Sequence, residues 1–506
     1  MNIFDSLERA QIRFPNKEAV IFKGPCITYR ELYEQACGLS AALSRRFGLR
    51  RGDRVAIFLP NIPEFIQSYY AVEKLGAIAV SLNVMLKRDE VEFILRDCGA
   101  RVLVTVPQFL DQVPETIPTL EGIVAVGETN RPGCTRFSDL VSERPTSGSP
   151  GVRVESEDGA AILYTSGTTG QPKGVLLTHG NLVFNSKATH HHTRMTEDDR
   201  LLCYLPLFHC FGQNFIMNTS VHVGATLLLH ERFVPDEILE SARVNKASMF
   251  FGVPAVYVRL LSQPGIERNL ESIRYYFSAA APIAVETVRS WQQRFGQIIF
   301  EGYGLTETSP FASYNHDSEY REGSVGTPIQ YVKIQVVNES GERVASDELG
   351  EIAIKGANVM KGYFNRPKET AQVIRDGWFL TGDIGRMDDQ GYIYLVDRAK
   401  DMINVAGFKV WPREVEEVLS KHLGVTEAAV IGVPDPVSGE AVKAFVVLQK
   451  GAQLFEKDVI EFCRARMAVY KAPRYVDFID ALPRNPAGKV LKRELRLRQP
   501  ESKKVA

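Results

Sequence analysis

The sequence predicts an α/β protein: a large N-terminal domain made of two doubly wound αβ subdomains plus a small β-barrel, followed by a small α+β C-terminal domain. Three observations predict it. Short apolar runs alternate with amphipathic stretches from Thr28 to about Val104, the same alternation resumes after Gly159, and past Pro328 the pattern changes to closely spaced β runs separated by turns.

In chain order, Arg54 to Leu59 and Ala77 to Ser81 read as buried strands, and Tyr29 to Phe47 as an amphipathic helix. Arg144 to Gly159, rich in Pro, Ser, Gly and acids, reads as a surface connection. Strands are then expected at Ala160 to Tyr164, Leu201 to Leu205, Ala225 to Leu229, Ser248 to Val253, Ile273 to Phe277 and Ile298 to Phe300, with helices at Asn181 to Thr189 and Ile283 to Phe295. Val332 to Val337, Gly350 to Lys355, Trp378 to Thr381 and Tyr392 to Val396 form the barrel-like part. After Arg398 come a helix from about Pro412 to His422, strands Ala428 to Val433 and Ala444 to Leu448, and a helix from about Glu456 to Met467. The boundary falls near Lys400, giving domains 1–399 and 400–506.

A chain of 506 residues exceeds one ordinary core. A formal net charge of -1 removes any bulk electrostatic case for nucleic acid and favours small-molecule partners. The seven cysteines are odd in number, scattered and without a CxxC pair, which argues against a disulfide framework and a zinc site. Asp5, Glu8 and Arg9 interrupt the N-terminus where a secretory signal needs an apolar run, and no apolar run reaches the roughly 18 residues that cross a bilayer. A cytoplasmic protein is expected, with peripheral membrane contact and a homodimer left open.

The most specific segment is Tyr164-Thr-Ser-Gly-Thr-Thr-Gly-Gln-Pro-Lys-Gly174. Its glycines let backbone N–H groups approach an anion, Ser166, Thr168 and Thr169 add hydroxyl donors, and Lys173 adds charge, which describes a polyphosphate cradle; a ligand-free Gly/Thr turn is the plainer alternative. The spacing does not fit a Walker A loop. With this motif the chain resembles the adenylate-forming family of acyl-CoA synthetases, luciferases and peptide-synthetase adenylation domains, and most resembles fatty-acyl-CoA ligases. The resemblance runs from Thr28 to Lys489 in the family's motif order. It implies that Thr165, Ser166, Gly167, Thr168, Thr169, Gly170 and Lys173 hold the ATP phosphates.

Four further motifs follow. Glu301-Gly-Tyr-Gly-Leu-Thr-Glu307 offers a ring to stack on a base, a hydroxyl for a phosphate and a carboxylate for Mg2+. By resemblance Tyr303, Gly302 and Gly304 meet the nucleotide, Thr306 and Glu307 are catalytic, and Glu307 holds the metal. In Ser278-Ala-Ala-Ala-Pro282, Ala280, Ala281 and Pro282 match the adenine wall, with alanines where glycine is common. Asp383, in Thr381-Gly-Asp-Ile-Gly385, can accept from two ribose hydroxyls with Arg398 adding a donor, although such charges also occur on plain surface turns. Lys400 matches the family's hinge, which implies a mobile C-terminal domain. Pro483-Arg-Asn-Pro-Ala-Gly-Lys-Val490 presents Lys489, the catalytic lysine by resemblance, where a cation between two anions stabilises crowded negative charge. His209, in Pro206-Leu-Phe-His-Cys-Phe-Gly212, matches a position between acyl pocket and thiol, or is a hydrogen-bonded core histidine. Gly407 matches the strand lining the pantetheine tunnel.

The implied activity is an ATP-dependent acid:CoA ligase using ATP, Mg2+ and CoA. It forms acyl-AMP and passes the acyl group to CoA. His209-Cys210 stands where amino-acid-activating members carry Phe-Asp, and Phe211, Phe215, Met217, Phe250, Phe251 and Val253 suggest an apolar pocket, hence a medium- or long-chain fatty acid. An aryl acid, or delivery to a carrier protein or amine, is the alternative. Two signals are discounted. His190, His191 and His192, stepping about 100° apart on a helix, cannot converge on a metal and are read as surface histidines; Cys203 and Cys210 flank a loop near the acyl pocket, but nothing in the sequence pairs them with a base, and buried cysteines are usually inert. Lys492, Arg493, Arg496 and Arg498 are read as a solvated helix face, with contact to a CoA phosphate or a membrane as the alternative.

Overall fold

A computed structural model describes residues 2–142, 153–166, 171–398, 401–485 and 488–498. Gly167, Thr168, Thr169, Gly170, Lys400 and the Ser166 side chain lie outside the described residues, as does the boundary placed at 399/400.

Local chemistry sets the elements. The Tyr29–Phe47 helix starts where the Thr28 hydroxyl accepts the Glu31 N–H at 3.2 Å while the Glu31 carboxylate accepts the Thr28 N–H at 2.8 Å, and it stops at Gly48, whose φ of 60° is the left-handed cap. Its apolar stripe, including Leu32, Leu39 and Leu43, is fully buried.

The first sheet has eight strands in the order Gly362–Tyr363, Pro172–Thr178, Gly159–Ser166, Ile78–Ser81, Arg54–Phe58, Val102–Thr105, Gly122–Ala125 and Cys134–Arg136. The run from Gly159–Ser166 to Cys134–Arg136 is parallel, while Pro172–Thr178 turns back as an antiparallel hairpin partner of Gly159–Ser166. The second sheet has nine strands with a parallel centre: Ile299–Tyr303, Tyr275–Ser278, Met249–Gly252, Arg200–Cys203 and Thr226–Leu229. Its far edge is built from Glu18–Phe22 and Cys26–Thr28, so the chain's start joins the sheet whose centre begins some 180 residues later, at Arg200. A third, antiparallel sheet contains Lys333–Val337, Gly350–Lys355, Trp378–Met387, Ile374–Arg375 and Ile393–Arg398.

Beyond residue 400 a five-stranded sheet pairs Val425–Asp435 with Gly439–Leu448, flanked by the helices Pro412–Leu419 and Glu456–Arg464. It has its own apolar core, with Ile403, Val410, Val415, Leu419, Val442, Val459 and Cys463 buried together. Among the described residues, no helix is long and apolar enough to cross a membrane.

Two expectations are corrected. Lys492 is half-buried against Glu416 at 3.0 Å and so leaves the solvated face, while Arg493, Arg496 and Arg498 are exposed as expected, Arg496 pairing with Asp401 at 2.8 Å. The three histidines fan out as expected, but only His190 and His191 are exposed; His192 turns inward against Phe311, Tyr314 and His316.

Candidate active site

Parallel strands of the second sheet deliver their C-terminal ends to one crevice, the usual ligand position in an open α/β sheet. Tyr303 ends the Ile299–Tyr303 strand, Ala279 to Pro282 follow Tyr275–Ser278, Val253 follows Met249–Gly252, and His209 follows Arg200–Cys203. Ala280 and Pro282 are exposed and Ala281 is half-buried at this mouth. Ala280 has φ +69°, a left-handed conformation that an alanine adopts at a cost of about 1 kcal/mol and a glycine without it. The departure from glycine noted in the sequence is therefore a strained one.

The third sheet supplies a carboxylate to the same crevice. Asp383 and Arg398 face each other across the antiparallel pair Trp378–Met387 and Ile393–Arg398. Arg398 Nε donates to Asp383 Oδ1 at 2.8 Å, and the Tyr303 hydroxyl donates to Asp383 Oδ2 at 2.7 Å. Three residues assigned to the nucleotide from motifs far apart in sequence are thus joined through one carboxylate.

Glu307 sits in the short 3-10 turn Thr306–Thr308 that follows. Gly304 is fixed by space: a Cβ there would stand 1.5 Å from the Pro310 carbonyl oxygen. Burial holds the Glu307 carboxyl above the usual carboxylate range, and its Oε1 accepts from the Tyr363 hydroxyl at 3.0 Å. Tyr363 pairs with Val175 beside the hairpin, and the Lys173 ammonium lies 5.2 Å from its ring. Thr165 is paired with Lys173 and Ser166 with Pro172, so the two strands that flank the Gly/Thr segment run side by side up to it. Tyr363 was missed from sequence; its link to Glu307 spans 56 residues and depends on the Gly362–Tyr363 strand.

Buried amides also went unnoticed. Asn185 donates to the carbonyls of Thr308 and Phe311 at 3.3 and 2.9 Å, Asn181 to those of Ala357 and Val359 at 2.8 and 2.9 Å, and Asn214 to that of Ser309 at 2.6 Å. Asn185 thus fastens the Glu307 turn to the His179–Thr193 helix, Asn181 ties residues 357–359 to the same helix, and Asn214 ties Ser309 to the Phe211–Asn218 helix.

His209 is half-buried; its Nδ1 accepts the Phe211 N–H at 3.3 Å, which leaves the ring proton on Nε2. Burial first, and the nearby Lys489 charge second, hold its pKa down to about 4, so the ring is neutral at pH 7. Lys489 is thereby placed at the N-terminal domain's crevice. Gly488, next to it, approaches Val253 closely: a Cβ there would stand 2.5 Å from Val253 Cγ2. Asn485 accepts the Lys489 N–H at 2.8 Å, and Arg484 donates to the Gly488 carbonyl at 2.7 Å. Gly407, in contrast, is on an exposed hairpin between Ile403–Val405 and Phe408–Val410, with φ +89° and nothing within 4 Å of a Cβ.

Residues 7–364 match the family model of the AMP-binding enzyme, and residues 414–489 match that of the AMP-binding enzyme C-terminal domain. The chain belongs to the AMP-binding enzyme family. It is 36% identical to a long-chain-fatty-acid–CoA ligase of Bacillus subtilis (strain 168), over 96% of this chain and 92% of that one. It is 37% identical to a feruloyl-CoA synthase of Amycolatopsis sp, over 96% of each. Among solved structures it superposes on the anthranilate CoA ligase AuaEII in complex with anthranoyl-AMP with a TM-score of 0.92 at 30% identity, covering 98% of this chain and 97% of that one. The protein is an AMP-forming acid:CoA ligase whose co-substrates are ATP and CoA.

In this ligase the apolar side chains nominated for the acyl pocket divide by strand alternation. Phe251 joins Phe211 and Phe215, with Phe277 and Phe311, in a wall of rings whose neighbouring centroids lie 4.9 to 5.8 Å apart. Phe250 is on the opposite face of the sheet, against Tyr257 and Tyr276, and is corrected out of the pocket. Cys203 and Cys210 are buried and burial pushes both thiols up, Cys203 to about 12, which fits the inert role expected of them.

Proposed function

We propose that this ligase activates an aryl carboxylic acid as its acyl-AMP and transfers the acyl group to CoA. The observation that carries the choice of acid is the wall of close-packed rings, Phe211, Phe215, Phe251, Phe277 and Phe311, beginning two residues from His209. A flat aromatic acid gains offset or edge contacts on such a wall. A medium- or long-chain fatty acid is the second reading, supported by the fully apolar character of the same wall.

In this reading adenine stacks on Tyr303 beside Ala280 and Pro282, and the ribose hydroxyls bind Asp383 and Arg398. The triphosphate lies over the segment 165–173. Glu307 is suited to Mg2+: burial raises its carboxyl despite the opposing Arg398 charge, and a divalent ion held jointly with phosphate oxygens would favour its ionised form. Bound there, the ion would neutralise phosphate charge. The substrate carboxylate attacks the α-phosphorus, pyrophosphate leaves, and Lys489 stabilises the negative charge that gathers between them. His209, neutral and with its Nε2 proton available, borders the acyl carbonyl. The domain from about residue 400 then rotates about Lys400, withdrawing Lys489 and bringing the exposed Gly407 hairpin to the crevice for the thiol's approach. Its separate apolar core supports movement as a unit.

The test is CoA-dependent AMP formation over acids from acetate to palmitate plus benzoates and cinnamates, with wild type and Lys489→Ala. Aryl acids are expected to lead, and the variant to lose roughly 100- to 1000-fold in adenylation while still converting preformed acyl-AMP to thioester. A clear optimum at long alkyl chains selects the second reading, and full adenylation by the variant overturns the role of Lys489.

A further inference from the structure

Whatever holds the C-terminal domain in the orientation seen here also holds Lys489 at the crevice. The strand Ile393–Arg398 belongs to the N-terminal domain: it pairs with Trp378–Met387, Leu395 opposite Gly385 and Asp397 opposite Ile384, so both residues are fixed to that domain's third sheet. The helix Pro412–Leu419 belongs to the C-terminal domain, with Val415 and Leu419 in its separate core. Arg413 joins the two. Its Nη1 donates to the Leu395 carbonyl at 2.6 Å, and its backbone N–H donates to Asp397 Oδ2 at 3.1 Å. The side chain is only 12% exposed, so these bonds are made away from most of the solvent that would weaken them.

The bond to Asp397 is a helix cap supplied from the other domain. Trp411, at the cap position, makes no side-chain bond to the start of Pro412–Leu419. A carboxylate there meets both an N–H that has no partner within the helix and the positive end of the helix dipole. Asp397 Oδ1 meanwhile accepts the Arg398 N–H at 2.7 Å, which orients the carboxylate from its own strand. Lys492 completes the cluster. Its ammonium is bonded to Glu416 of the same helix at 3.0 Å, and its charge is the leading one that opposes the burial raising the Asp397 carboxyl. Lys492 lies just past Lys489 in the chain. One carboxylate of the N-terminal domain thus faces both a helix start of the C-terminal domain and the segment that bears Lys489, and rotation of that domain parts it from both.

We propose that Asp397 and Arg413 are positioning residues that latch the C-terminal domain in the orientation presenting Lys489 for adenylation, and release it for thioester formation. This rests on the reading of Lys489 and of the rotation given above. Both residues act through Lys489 rather than on substrate.

The experiment uses the full-length protein and measures its half-reactions separately: acid-dependent ATP–pyrophosphate exchange for adenylation, and CoA-dependent AMP release from added acyl-AMP for thioester formation. The acid is the one that supports exchange best in the wild type. Arg413→Ala and Asp397→Ala are each expected to lose about tenfold in kcat for exchange, with KM for ATP within about twofold of wild type, while thioester formation stays at or above the wild-type rate. A merely structural role does not give that split, since a damaged fold lowers both half-reactions together. Arg413→Lys, which keeps a donor and a charge, recovers part of the loss. Added to Lys489→Ala, either variant costs nothing further, because residues that act as a unit are not additive. Undiminished exchange in either variant, an equal fall in both half-reactions, or a full further loss on the Lys489→Ala background overturns the latch. Full exchange by Lys489→Ala itself would instead overturn the role of that lysine beneath it.

Discussion

Asp383→Asn tests the nucleotide site most directly, because one carboxylate holds two of its partners. In the structure Asp383 accepts from the Tyr303 hydroxyl at 2.7 Å and from Arg398 at 2.8 Å. The amide is isosteric but neutral, and it can turn its oxygen to only one of the two groups. A hydrogen bond to a charged acceptor is worth about 1 kcal/mol more than its neutral counterpart. The Tyr303 contact is fully buried and loses that difference; Arg398 is 34% exposed, so its share is discounted for solvent screening. The ribose hydroxyls lose a charged acceptor as well. The sum is about 1.5 to 2 kcal/mol, which corresponds to roughly 10- to 30-fold in apparent ATP affinity. Acid-dependent ATP–pyrophosphate exchange measures it: KM for ATP rises by that factor and KM for the acid stays put. The thermal midpoint serves as a control for folding. A variant that is folded and whose KM for ATP stays within about twofold of wild type would remove Asp383 from the ribose site and with it the shared crevice.

Three other outcomes are expected. Gly488→Ala places a Cβ 2.5 Å from Val253 Cγ2 at a backbone φ of +83°, so the Lys489 loop cannot seat as observed; adenylation should slow by roughly tenfold or more while thioester formation from added acyl-AMP is spared. Tyr363→Phe removes the 3.0 Å donor to Glu307, and kcat/KM for ATP with Mg2+ should fall about tenfold with acid binding unchanged. Glu301 is buried and its pKa is pushed up from 4.5 to about 7, chiefly by desolvation. The folded state therefore holds a proton that the unfolded chain releases, so this residue lowers stability progressively as pH rises from about 4.5 to 7, by an amount of order 3 kcal/mol. Thermal midpoints of wild type and Glu301→Gln should then diverge between pH 5 and pH 8, with the variant gaining; parallel curves would show that Glu301 ionises freely.

What the sequence made legible was whatever is written in neighbouring residues. The Tyr29–Phe47 helix was read to its ends because both caps are local, Thr28 with Glu31 at the start and Gly48 at the stop. Tyr303, Glu307, Asp383 and Lys489 could be nominated from compact motifs, and the first three share the bonds or strand positions that bring them to one crevice. What stayed hidden was non-local pairing. Tyr363 acquires its contact with Glu307 only because Gly362–Tyr363 adds to the edge of the hairpin that carries Lys173. Glu18–Phe22 gives no hint of whether it will join the sheet that follows or one formed far downstream. Composition cannot separate faces either: Phe250 and Phe251 are equally apolar and equally buried, yet strand alternation puts Phe251 on the wall of rings with Phe215 and Phe250 on the other face of the sheet against Tyr257. His192 shows the same effect on a helix. Three identical side chains in a row looked like surface, and a step of about 100° was enough to turn the third into the core. A residue's chemistry is therefore set by its register, and for Tyr363 and His192 that register follows from pairings and helix turns that no single stretch of sequence spells out.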